Sequence, residues 1–91
     1  MQSKILISLG QVVITKNASK ILSDTDVNTA LARHVSGDWG ELCDCDKKAN
    51  DDALKYGGRV LSVYMSTDNH KFWVLTEADR SYTTVLMPSD Y

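Results

Sequence analysis

"RVLSVYMSTDNHKFWVLTEADRSYTTVLM", residues 59–87, alternates with a period of two in three successive runs. The runs are "RVLSVYMS" (59–66), "KFWVLTE" (71–77) and "SYTTVLM" (81–87). β-Branched and aromatic residues dominate all three, as in strands. Between them stand "TDNH" (67–70) and "ADRS" (78–81), short polar stretches with hairpin chemistry. The segment therefore predicts a three-stranded antiparallel meander. Leu61, Val63 and Met65 share one face of the first strand. On the second, Phe72 and Val74 lie on one side and Trp73 and Leu75 on the other. Alternation alone does not say which side meets the rest of the chain.

Upstream the period lengthens towards 3.6. "GQVVIT" (10–15) is a short β-branched run and a candidate extra N-terminal strand. Asn17 suits an N-cap for a short helix, "ASKILSD", with Ile21 and Leu22 as its apolar side. Asp24 or Asp26 suits the cap of a second helix, in which Val27, Ala30, Leu31 and Val35 make one apolar stripe. Gly37 is placed to end it. A third helix is expected from Asp44 or Asp46 to Tyr56, with Ala49, Ala53, Leu54 and Tyr56 inward and Gly57-Gly58 closing it. The expected fold class is α+β: two or three short helices packed on one face of a three-stranded antiparallel β-meander, in one domain over residues 1–91.

Composition excludes several functions. No run of 18 apolar residues exists, so no transmembrane helix is expected. "ILISLG" (5–10) is too short for a signal-peptide core, and two cysteines are too few for a disulfide scaffold. A cytoplasmic protein is expected. Net charge is −2, unevenly spread: +2 over residues 1–35, −4 over 36–52 and zero over 53–91. A nucleic-acid binder needs a basic stripe, and none is present, so no direct nucleic-acid binding is expected. The acidic centre repels phosphate and attracts a basic partner.

That centre, "SGDWGELCDCDKKANDD" (36–52), holds the unusual chemistry. Cys43 and Cys45 are one residue apart, too close for a strain-free disulfide. Structural zinc needs four ligands, and only His34 and His70 remain to complete a set. Acidic neighbours raise a thiol pKa, which argues against a redox site. "DCDKKANDD" lacks the glycine and the closing glutamate of an EF-hand loop. No metal and no cofactor are expected. The plain reading is a well-capped helix start. The sharper one is a protein-facing patch of Asp38, Trp39, Glu41, Asp44, Asp46, Asp51 and Asp52, tempered by Lys47 and Lys48.

"TEADRS" (76–81) gathers Glu77, Asp79 and Arg80, either a turn with an internal ion pair or a second site of two carboxylates and a charge stabiliser. No catalytic triad context, phosphate loop or metalloprotease helix is present, and no enzymatic activity is expected. The alternative is a small metal- or nucleotide-dependent enzyme or sensor built on Cys43, Cys45 and this loop. His34 reads as a polar residue at a helix C-terminus. Trp39, in a glycine-flanked turn, is either a core plug or an exposed anchor, with the plug favoured. Trp73 is expected in the core. A three-stranded sheet leaves free edges, which makes a homodimer an option.

"ARHVSGDWGEL", "DKKANDDAL", "GGRVLSVY" and "KFWVLTEADRSYTTVLMPSDY", in this order, resemble a family of small bacterial proteins encoded on plasmids, integrative elements and proteobacterial chromosomes. Its members carry labels such as plasmid-related protein, or labels borrowed from type I restriction-modification systems. The resemblance covers about residues 10–91, and "SGDWG" with "TEADRS-TT" carries most of it. It implies neither catalytic residues nor a cofactor. Members usually show acids where Cys43 and Cys45 stand here, which speaks against a metal role for the thiols. Small acidic proteins on mobile elements often bind a host or phage nuclease or modulate a defence complex. By analogy the resemblance implies an interaction module that inhibits or modulates a nucleic-acid-handling protein.

Overall fold

The computed structural model describes residues 5–91; residues 1–4, with Lys4 of the basic first third, lie outside them. The fold is α+β. Strand β1 (Gln11–Ile14) leads into helices α1 (Lys16–Ile21), α2 (Asp24–Val35) and α3 (Asp44–Tyr56). Strands β2 (Val60–Met65), β3 (Lys71–Thr76) and β4 (Tyr82–Leu86) follow, then a 3₁₀ turn at Pro88–Asp90.

The meander forms as expected, β2 antiparallel to β3 and β3 to β4. One detail differs. β1 joins as a fourth strand, parallel to β4, so the sheet is mixed and its order is β1-β4-β3-β2. Both hairpin turns place their fourth residue in the left-handed region, Asn69 at φ 64° and Arg80 at φ 62°. A type I turn followed by such a residue matches the twist of the flanking strands.

The helices cover one face of the sheet, and it is not the face with the larger aliphatic residues. Val60, Ser62, Tyr64 and Ser66 point inward from β2 and its end, Phe72, Val74 and Thr76 from β3, Thr83 and Val85 from β4. Ala18 and Leu22 of the α1 region and Val27 and Ala30 of α2 pack on Tyr64, Phe72, Val74, Val85 and Met87. A second cluster joins Ile7, Trp39, Ala53 and Val60. The Leu61, Val63, Met65 face, with Trp73 and Leu75, is the outer one. Trp73, expected in the core, is half-buried there, and Met65 is exposed.

The caps shift by a residue or two from expectation. Thr15, not Asn17, caps α1, its hydroxyl accepting from the Ala18 N–H. Ser23, rather than Asp24 or Asp26, caps α2 and accepts from Asp26 N–H. Each is a residue of capping type that precedes the expected one. Cys43 occupies the N-cap of α3 and makes no side-chain cap bond. Within α3, Asn50 and Ala53 face inward, while Ala49 and Tyr56 are exposed. The reason lies in the edge of β2. Asn50 Nδ2 donates to the Leu61 carbonyl (2.7 Å) and its Oδ1 accepts from the Leu61 N–H (3.1 Å). A side-chain amide thus replaces a neighbouring strand at that position.

Candidate functional site

The motif "SGDWG" is built into the fold residue by residue. Ser36 caps α2 and its hydroxyl donates to the Arg33 carbonyl (2.9 Å). Gly37, at φ 87°, lets its own N–H reach the His34 carbonyl and the Asp38 N–H reach that of Arg33. This left-handed closure satisfies two orphaned carbonyls. Asp38 pairs with Arg33 (Oδ2 to Nε, 2.7 Å; Oδ1 to Nη2, 3.1 Å) and accepts from the Gly40 N–H. The guanidinium beside it holds its carboxyl below the usual range. Trp39 is 4% exposed and its indole N–H donates to Asp51 (3.2 Å). It is the plug, the favoured of the two expectations, so it drops out of the protein-facing patch in which it was also named. Gly40 runs against β2: the Glu41 N–H donates to the Val63 carbonyl (2.7 Å) and Val63 N–H to that of Trp39 (3.2 Å). A Cβ at Gly40 would overlap the Val63 carbonyl oxygen and the Tyr64 ring. Together with Asn50, this segment seals the outer edge of β2, a position where bare strands invite unwanted pairing.

The second motif, "TEADRS-TT", is equally committed. Arg80 donates from Nη1 to the carbonyls of Gly58 (2.6 Å), Glu77 and Ala78, and from Nη2 to that of Ala53 (3.1 Å). It ties the C-terminal end of α3 to the second hairpin turn. Asp79 accepts from the Ser81 N–H (3.0 Å), a turn bond, and its carboxyl is held below the usual range by the bonds from Ser81. Glu77 lies 3.6 Å from Arg59. Glu77 and Asp79 border a shallow depression of about 330 Å³. With Arg80 spent on carbonyls, they do not converge on it as the charge stabiliser of a catalytic pair.

His34, read from sequence as a helix-end residue, is fully buried at the centre of a hydrogen-bonded chain. Thr83 Oγ1 donates to the Leu9 carbonyl (2.8 Å). Its one proton is therefore spent, and it accepts from Thr76 Oγ1 (2.7 Å). Thr76 then accepts from His34 Nε2–H (2.9 Å), and Nδ1 accepts from the Ser62 hydroxyl (2.6 Å). This order assigns the neutral Nε2–H tautomer. Burial pushes the His34 pKa down to about 4, with a smaller push from the Arg80 charge. A buried, fully bonded neutral ring joins α2 to β2 and β3 directly and to β4 through the Thr76 and Thr83 hydroxyls. No sequence signal marks the ring as buried, but the inward Ser62, Thr76 and Thr83 alternate in phase and name its partners.

What remains are the acids around the start of α3. Glu41, Asp44, Asp46 and Asp52 are exposed, and their carboxylates make no hydrogen bond or ion pair among the described residues. Asp51 also stands exposed but serves Trp39. Lys48 lies one turn from both Asp44 and Asp52, so the surface is acidic at the N-terminal end of α3 and mixed further along. Cys43 and Cys45 are exposed thiols in the same surface. Among the described residues no three His, Cys, Asp or Glu side chains lie close enough together to hold a metal ion. No described helix is long and apolar enough to cross a membrane. Compared with protein-family models, curated proteins and solved structures, the chain matches none.

Proposed function

We propose that this chain is a non-enzymatic, cytoplasmic interaction module that docks its acidic α3 surface on a basic, nucleic-acid-handling protein and inhibits or modulates it. One observation carries the reading. Glu41, Asp44, Asp46 and Asp52 are the acids of the central segment left free of internal partners, while Asp38, Asp51, Glu77, Asp79 and Arg80 serve the fold. An unpaired acidic patch steers a basic partner and sets its register. The family resemblance, with its mobile-element company, supports a host or defence protein as that partner.

The test is affinity capture from a bacterial lysate followed by mass spectrometry. Three baits are compared: wild type; Glu41, Asp44, Asp46 and Asp52 all changed to Lys; and Cys43→Ser with Cys45→Ser. The expected result is a basic partner retained by the wild type and the serine variant and lost by the lysine variant. Retention by the lysine variant, with loss from the serine variant or in chelator, would move the site to the thiols and sink the proposal.

A further inference from the structure

The outer face of the sheet carries a cavity of about 320 Å³ lined by Arg59, Leu61, Trp73, Leu75 and Tyr91. We propose that this cavity is a binding site for a small aromatic carboxylate, its ring on the leucine floor and its acid on Arg59.

The floor is made by a cross-strand pair, Leu61 opposite Leu75. The wall is an aromatic pair, Trp73 and Tyr91, whose rings meet edge-on with centroids 5.6 Å apart. The Arg59 guanidinium lies over the Tyr91 ring, 5.8 Å from its centroid, so it is the Trp73 side of the wall that offers a ring surface to a further aromatic group. The lining is almost wholly apolar, with one cation at the rim. This combination, an apolar slot with a single orienting charge, is what small-ligand sites present, and the volume falls at the lower end of their range of about 300–1,000 Å³. There is room for one ring system and a short acidic arm.

Arg59 selects the charge. Its Nη1 donates to the Tyr91 hydroxyl (3.1 Å), and its Nε lies 3.6 Å from Glu77, too long for a good hydrogen bond. Nη2 makes no hydrogen bond among the described residues. The guanidinium thus keeps donors for a second carboxylate, which it binds in a planar, charge-assisted way that a neutral amide cannot match. Glu77 faces Nε rather than Nη1, the nitrogen that meets Tyr91. The cavity lies across the sheet from α3, so it is separate from the acidic surface proposed above and stands or falls without it.

Calorimetric titration of the full chain with 3-phenylpropanoate and with 3-phenylpropanamide tests the site. The acid should bind saturably with a dissociation constant below about 1 mM, and the amide at least tenfold more weakly. Arg59→Gln should weaken the acid by a similar factor, and Leu61→Phe, which fills the floor, should abolish binding. Thermal melts check that both variants fold. In NMR spectra the Trp73 indole N–H should shift on titration while that of Trp39, on the helical side, stays in place. No saturable heat, equal binding of acid and amide, undiminished binding by folded Arg59→Gln, or an unmoved Trp73 resonance would each overturn the assignment.

Discussion

His34 is protonated more easily in the unfolded chain than in the folded one, because the folded site is dry and offers Nδ1 a hydroxyl that already donates to it. The ordinary pKa of 6.5 falls to about 4 in the fold. The unfolded state therefore binds more protons between these values, and stability declines as pH falls from about 6.5 to about 4. A shift of this size corresponds to about 3 kcal/mol, a large part of what a small domain has. Urea unfolding followed from pH 7.5 to 4 should show that loss, and His34→Gln should flatten the profile. A profile flat in the wild type would mean that the ring is solvated. The carboxyls held low by partners, Asp38 among them, add stability that is present throughout this window and is lost only below the usual carboxylate range. Cys43 gives a second residue-scale prediction. It sits at the N-cap of α3 without a cap bond, so Cys43→Asp should raise stability by about 1 kcal/mol, read as a higher urea midpoint.

At the scale of elements, the sequence disclosed the meander and the three helices because their periods are clear and their turns carry Asn, Asp and Gly. It did not disclose the parallel pairing of β1 with β4. "GQVVIT" has the composition of a strand but no alternation, and its partner lies some seventy residues away. The buried face was hidden for a different reason. Leu61, Val63 and Met65 look more like a core than Val60, Ser62, Tyr64 and Ser66 do. The hydroxyls are inside because His34 is there to bond them. The same logic favours Ala49 over Asn50 for the inward side of α3, since a sequence does not show that a strand edge needs an amide. The resulting prediction separates the two faces. Leu61→Asp places a charge on the half-buried outer face and should leave a folded, less stable domain. Val74→Asp buries an unpaired charge beneath the helices, costs several kcal/mol and should abolish the cooperative melt. Equal damage from both would mean that the outer face is covered.

At the scale of the whole molecule, the candidate site was half legible. The cluster of acids in 36–52 stood out by charge alone, and four of its members are free in the fold. Trp39, Asp38 and Asp51 could not be sorted from them by sequence, because a surface acid and an acid holding a tryptophan plug look alike until the chain is folded. "SGDWG" and "TEADRS-TT" stand out for their glycines and clustered charges. In the fold they close α2, seal β2 and clamp the end of α3. That division between committed motifs and uncommitted acids leads to one kinetic measurement. With the protein captured by the wild type, the association rate is measured from low to high salt for the wild type and for the Glu41, Asp44, Asp46 and Asp52 to Lys variant. Exposed charges interact over about 10 Å at 0.1 M ionic strength and far less at 1 M, so the wild-type rate should fall steeply with salt. The variant should start low and stay flat, with an unchanged fold. A wild-type rate indifferent to salt, or a variant that associates as fast as the wild type, would contradict an acidic docking surface.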